Sequence, residues 1–157
     1  MESFRIGSAK NGLGVFATKI FHKHERIVEL TGNLITCGVN DDLDARTRDN
    51  AIRFDEDVYL SSNGGVGDFF NHSCNPNAFI QKKGRKLFIT ARRKIASGKE
   101  ICFDYSTITA ADDIWQMRCR CGSAKCRHTV RQFAELPKKM RHTYQQEGVV
   151  PEYITSL

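Results

Sequence analysis

Asn71-His72-Ser73-Cys74-Asn75-Pro76-Asn77 gathers side chains that fill a core poorly and do chemistry well. Pro76 fixes its own φ and biases Asn75 away from the helical region. The stretch follows Gly64-Gly65-Val66-Gly67-Asp68-Phe69-Phe70, so an apolar anchor feeds directly into a polar, turn-forming loop. Its plain reading is an Asn/Pro turn. Its functional reading is double: Asn71 and His72 could contact a ligand, and Cys74 could complete a metal site begun far downstream.

That downstream site is Cys119-Arg120-Cys121-Gly122-Ser123-Ala124-Lys125-Cys126, with three thiols around a turn glycine. Three thiolates held so closely require a cation, and structural zinc takes four sulfur or nitrogen ligands in a tetrahedron. The fourth ligand is open among Cys74, Cys37, Cys102 and His128. Four thiolates on zinc carry a formal charge of about −2, which Arg118, Arg120, Lys125 and Arg127 would offset. A redox thiol pair and an unpaired cluster are the competing readings. A third segment, Lys10-Asn11-Gly12-Leu13-Gly14-Val15-Phe16, has glycines flanking one apolar residue. It reads as a plain turn before a strand, or as a loop whose backbone can approach a ligand closely.

At 157 residues the chain is one domain long, and it is 40% hydrophobic. With a mean hydropathy of −0.44 it reads as a soluble globular protein, and no apolar run approaches a membrane span. The amino terminus lacks the pattern of a secretory signal, so an intracellular site of action is expected, where cysteines serve as metal ligands and free thiols. The net charge of +6 suits an anionic partner. The charge is segregated: residues 41–57 carry seven acids against three arginines, while residues 80–99 carry eight basic residues and no acid. Solvated loop and hairpin faces explain this pattern; so would a docking site for a basic peptide on the acidic segment.

Short apolar stretches punctuated by glycine and asparagine predict a mainly β fold of many short strands. They include residues 14–17, 27–30, 58–60, 78–80 and 86–91, the last entered through a hairpin turn at Lys82-Lys83-Gly84-Arg85. Two helices are expected: one from Thr109 to about Met117, with Asp112 completing a capping box, and one over Val130–Leu136, broken or restarted at Pro137. The tail beyond Gly148 is irregular, with Val149, Val150, Tyr153 and Ile154 available to pack back.

In combination these segments resemble the SET-domain protein lysine methyltransferases. Gly12-Leu13-Gly14 is similar to the family's amino-terminal Gly-x-Gly, and Asn71-His72-Ser73-Cys74-x-Pro-Asn to its central signature. Gly98-Lys99-Glu100-Ile101-Cys102-Phe103-Asp104-Tyr105 is similar to its Gly-x-Glu-(Leu/Ile)-x-(Tyr/Phe)-Asp-Tyr motif. The spacing of Cys119, Cys121 and Cys126 resembles the zinc-binding post-SET module, whose fourth ligand is the signature cysteine, here Cys74. The resemblance spans roughly residues 4–130, with the motifs in the family's order. No cysteine-rich pre-SET module fits upstream of Lys10 in this sequence.

The resemblance implies a β-clip-like SET domain over residues 1–107, with a variable insert at about 33–62 and a knot-like crossing of the two central motifs. A post-SET zinc module over 108–130 and a helical tail over 131–157, packed on the body, would follow. S-adenosylmethionine would be bound by Lys10, Gly12, Leu13, Gly14, Asn71, His72 and Tyr105, and structural zinc by Cys74, Cys119, Cys121 and Cys126. Tyr105 would be catalytic, although apart from the resemblance it reads as a buried core tyrosine. Phe103 would set product specificity, favouring di- or trimethylation. The substrate would be a lysine in a histone-like or other basic protein, entering from the face opposite the cofactor and bordered by the acidic insert. The site of action would be the nucleus in a eukaryote, or the cytoplasm or a translocated effector in a bacterium. Leu30 stands where the family usually has a tyrosine, Asp68 where it has an arginine, and Leu13 where an aromatic is frequent. Two rival readings are a catalytically weak peptide-binding module, favoured by Leu30 and Asp68, and a zinc-stabilised nucleic-acid binder, favoured by the basic 80–99 segment.

Overall fold

A computed structural model describes residues 2–36 and 49–156. Cys37 and the acids from Asp41 to Asp44 lie outside the described residues. Among the described residues, the strands form four small antiparallel sheets. Strands β1 (Phe4–Ala9) and β2 (Gly12–Ala17) form a hairpin closed by Lys10 and Asn11, with Gly12 at φ 96°. Strand β3 (Arg26–Leu30) pairs with β8 (Lys86–Ala91), which also pairs with β7 (Ala78–Lys83). The β7–β8 turn falls at Gly84-Arg85, as the sequence predicts. Gly84 adopts φ 56°, the sign that tight hairpin turns demand and that glycine accepts without a Cβ clash. Strand β6 (Val58–Ser61) lies between β4 (Asn33–Thr36) and β5 (Ile52–Arg53). The pair β9 (Met117–Arg118) and β10 (Thr129–Val130) brackets the cysteine segment.

Every expected apolar stretch lies in one of these strands. β8 is central in its sheet, and Leu87, Ile89 and Ala91 are each 0% exposed. They pack with Val15, Phe21, Ile80, Ile101 and Phe103 in the main core. Burying a side chain of leucine or isoleucine size contributes roughly 1.5–3 kcal/mol, so this strand is a main source of the domain's cohesion.

The two expected helices are not formed where the sequence placed them. Thr109 bonds back to the Tyr105 carbonyl at 2.8 Å, and Asp113 receives the Ala110 N–H at 2.6 Å. Asp112, the expected capping partner, instead pairs with Arg53 at 2.6 Å. A buried arginine claims this carboxylate more strongly than a helix end could, and the segment makes one turn at Ala111-Asp112 without continuing as a helix. Downstream, Thr129–Val130 is strand and Phe133–Glu135 a 3-10 turn. Leu136 has ψ 148°, the extended value imposed on a residue before proline, so helix α1 begins only at Lys138 and runs to Gln146. A short helix α2 (Glu152–Thr155) follows. Val149, Tyr153 and Ile154 do pack back, joining Phe79, Phe133 and Tyr144 in a second core.

Candidate active site and metal centre

The start of β2 brings Leu13 and Gly14 against the Asn71 loop. The Asn71 side-chain amide donates to the Leu13 carbonyl at 2.9 Å and to Glu100 Oε1 at 2.7 Å. A Cβ at Gly14 would fall 2.4 Å from that same Oε1 and 3.0 Å from Asn71 Nδ2, so glycine is required by close approach. Lys10 extends toward the cysteine lobe, with its ammonium over Gly122, and the Asn11 amide reaches the Arg120 carbonyl at 3.5 Å. Leu13, Gly14 and Asn71 are therefore drawn together, with Gly12 at the open end of the same turn and Lys10 reaching toward the cysteine lobe. Glu100, which holds Asn71 in place, is not singled out by the sequence as an individual residue. It stands in the Gly98–Tyr105 motif, but its partner is distant in sequence.

The segment around Asn71 runs beside the Phe103 segment. His72 and Phe103 form a parallel bridge, Phe103 N–H donates to the Asn71 carbonyl at 3.2 Å, and Ser73 N–H donates to the Phe103 carbonyl at 3.0 Å. Asn77 fastens the next turn, donating to the Glu100 carbonyl at 2.7 Å and accepting from Cys102 N–H at 2.9 Å. The two motifs expected to cross thus lie in contact and in register.

Tyr105 follows directly. Its hydroxyl donates to the Phe70 carbonyl at 2.6 Å, and its ring lies 4.9 Å from Phe103, 5.3 Å from His72 and 6.0 Å from Trp115, measured between centroids. Burial, reinforced by the charges of Cys102 and Glu100, pushes the phenol upward, so it remains protonated at neutral pH. The arrangement is an apolar aromatic enclosure around one fixed hydroxyl. Leu30 is buried in the main core, and Asp68 accepts the Gly64 N–H at 2.7 Å.

Asp104 carries the buried charge of the site. It is 1% exposed and receives both guanidinium ends of Arg127 at 2.7 Å, the Tyr144 hydroxyl at 3.0 Å and Ser106 N–H at 3.0 Å. One carboxylate thereby ties the Phe103–Tyr105 motif to the cysteine lobe and to α1. Sequence reading placed Arg127 beside the thiols but had no signal for this pairing, because its partners lie 23 and 40 positions apart from Asp104.

His72 Nε2, Cys74, Cys119 and Cys121 offer ligand atoms all within 4.8 Å of one another. The Cys74 and Cys119 sulfurs are 3.7 Å apart. Tetrahedral zinc with bonds of about 2.3 Å places its sulfurs about 3.8 Å apart, so the spacing fits such a site. Cys126 is adjacent, its sulfur 3.8 Å from the Cys119 carbonyl, and packs in the same cluster. His72 has a different role. Its Nδ1 accepts Tyr105 N–H at 3.1 Å, and burial lowers its pKa to about 4, so the ring is neutral and its proton sits on Nε2. That N–H points at Cys74 sulfur from 3.2 Å, placed to donate to it once a bound cation makes it a thiolate. Arg127 N–H joins it at 3.3 Å. Burial would raise Cys121, but N–H groups of Cys74 and Ser123 outweigh it and bring that thiol to about 7. Burial keeps Cys119 and Cys74 high. Full deprotonation of the cluster requires a bound cation. His128 is exposed, with its carbonyl paired to Cys119 N–H at 2.8 Å, and Cys102 lies outside the cluster with its thiol pushed up to about 12 by burial.

A profile of the SET domain matches residues 12–106. The chain is 32% identical over 127 residues to "Histone-lysine N-methyltransferase trr" of Drosophila melanogaster, covering 74% of this chain and 5% of that protein. It is 35% identical over 127 residues to "Histone-lysine N-methyltransferase, H3 lysine-4 specific" of Schizosaccharomyces pombe, covering 73% of this chain and 14% of that protein. The chain thus spans only a small part of these curated relatives. Among solved structures, that of KRYPTONITE in complex with mCHH DNA, H3(1-15) peptide and SAH superposes with a TM-score of 0.63 at 20% identity. It covers 81% of this chain and 29% of that one, and shows likeness of fold.

Proposed function

The chain belongs to the SET-domain family, and from that premise we propose that it is a protein-lysine N-methyltransferase using S-adenosylmethionine. The observation that carries this reading is the Tyr105 hydroxyl, fixed at 2.6 Å to the Phe70 carbonyl inside an aromatic enclosure and adjoining the Asn71 loop. Lys10, Gly12, Leu13, Gly14, Asn71 and Tyr105, with the backbone of His72, would hold the cofactor, which supplies a methyl group activated by its sulfonium. The exposed backbone at Gly12 and Leu13 suits close approach of a ligand.

A lysine with a pKa near 10.4 is neutral only about 0.04% of the time at pH 7, a cost of roughly 4–5 kcal/mol before it can attack. Phe103, Tyr105 and Trp115 form an apolar surround that disfavours the ammonium and lowers that cost. The Tyr105 oxygen donates its proton to Phe70, keeping lone pairs available for the incoming amine and for weak C–H contacts. Alignment then carries much of the rate, and no carboxylate base is required. A basic protein segment such as a histone tail is the proposed substrate, supported by the relatives' names and by Glu56 and Asp57, exposed in the insert. Asp55 is already engaged by Lys82 at 2.6 Å.

Phe103 lacks the hydroxyl that, at this position of the family it resembles, would hold a water in the space a methyl needs, so di- or trimethylation is the proposed product. Incubation with labelled S-adenosylmethionine and histone H3 or a lysate, followed by mass spectrometry, tests both points. Labelled lysines carrying two or three methyl groups are expected, shifting to one in Phe103→Tyr. No labelled lysine would refute the activity, and exhaustive monomethylation by the unaltered protein would refute the product assignment.

Zinc would bind Cys74, Cys119, Cys121 and Cys126 and hold the 108–130 lobe against the cofactor loop, since Lys10 and Asn11 touch that lobe. Stripping the metal with a strong chelator is expected to weaken cofactor binding at least tenfold by calorimetry, with restoration on zinc addition. Unchanged affinity in demonstrably metal-free protein would separate the lobe from the cofactor site.

A further inference from the structure

A second concave site lies away from the aromatic enclosure, where β8, the cysteine lobe and α1 meet. Lys23, Arg92, Arg93, Lys125 and Lys139 line a cleft of about 640 Å³, with Glu147 the single carboxylate among the described residues that line it. These cations come from four separate segments of chain, so their convergence is a product of the fold. Glu147 is already bound to the Arg92 guanidinium at 2.7 Å, and the charge of Lys23 also bears on it. Lys125 and Lys139 pair with no carboxylate among the described residues. Arg93 is held by Asn75, donating to its side-chain oxygen and its carbonyl at 3.1 Å each. That leaves three of its five N–H donors for a ligand. The first turn of α1 has no acidic residue and no side-chain cap, and Pro137 and Lys139 place it on the same cleft.

We propose that this cleft binds the sugar-phosphate backbone of a nucleic acid, independently of sequence. The inference goes beyond methyl transfer and uses none of the residues assigned to it, apart from Cys74 in the wall. An excess of unpaired cations, with arginine forks presented in a groove, suits a row of phosphates. A lipid surface fits poorly, because the site is concave and none of the exposed large hydrophobic residues lines it. Tyr144 lines the cleft but is 3% exposed and carries the Arg92 guanidinium over its ring at 5.0 Å, so it offers unstacked bases no open platform, which favours backbone contacts to a duplex.

Fluorescence anisotropy with a labelled 20-base-pair duplex of arbitrary sequence, using the full zinc-loaded chain, reads the proposal. With about four phosphates neutralised, affinity should fall on the order of a hundredfold between 50 and 200 mM salt. The double variant Lys23→Glu/Lys139→Glu should weaken binding at least tenfold and flatten the salt slope by about two. Peptide methylation by that variant should match the unaltered protein. Duplex binding that survives in the variant, or equal competition by a polyglutamate of matched charge, would overturn the proposal. If neither protein methylates peptide but the variant alone loses the duplex, the cleft stands and the methyl-transfer reading falls.

Discussion

Tyr105→Phe is expected to fold, to retain cofactor, and to lose about 100- to 1000-fold in kcat, the scale on which one oriented polar group in a dry site acts. The ring stays in place because its neighbours Phe103, His72 and Trp115 contact the aromatic face and edge, which phenylalanine preserves. The change deletes only the hydroxyl that meets the Phe70 carbonyl at 2.6 Å. Losing that bond costs on the order of 1 kcal/mol of stability, too little to unfold a domain. The measurement pairs steady-state methyl transfer with calorimetric cofactor binding and a thermal melt. Loss of turnover with cofactor affinity kept within a few fold is the expected split. Near-normal turnover would show that Tyr105 is a packing residue only.

Arg127→Met acts on stability instead. Asp104 is 1% exposed and depends on the two Arg127 contacts at 2.7 Å for its charge compensation. Removing the cation while leaving a buried carboxylate is expected to destabilise by about 3–5 kcal/mol. Chemical denaturation of the zinc-loaded protein measures it. The double variant Arg127→Met/Asp104→Asn should recover part of the loss, because the unpaired charge is gone as well. Tyr144→Phe, which removes one hydrogen bond to the same carboxylate, should cost only about 1 kcal/mol. A loss below 1 kcal/mol in Arg127→Met would mean that water or another group compensates Asp104. Cysteine-lobe anchoring would then rest on the metal alone.

Much of the strand pattern is local and therefore readable in the sequence alone. The period of the apolar stretches marked β2, β3, β6, β7 and β8, because alternation and glycine punctuation are local properties of a strand and its turn. The hairpin at Gly84 was legible for the same reason. The helices were not. Thr109 and Asp112 carry a valid local cap signal, yet Arg53, 59 positions from Asp112, captured that carboxylate. Pro137 did mark a boundary, but the segment before it is strand and 3-10 turn. Ordering of Val130 and Phe133 into the two smaller cores decided that, and core membership is not encoded in a seven-residue window.

The sequence by itself determined the chemical inventory: the glycine loop at Lys10–Gly14, the Asn71–Asn77 turn, the Phe103–Tyr105 pair and three thiols within eight residues. Such signals survive in one dimension because each depends on residue type and short spacing. Tertiary structure decided what that inventory becomes. It set Cys74 at 3.7 Å from Cys119 and turned His72 into a donor toward sulfur, since its other nitrogen is taken by Tyr105 N–H. It also buried Asp104 between two lobes and gathered five cations around one cleft. Those outcomes are sums of long-range Coulomb and hydrogen-bond choices, in which each group takes the strongest partner that folding brings within reach.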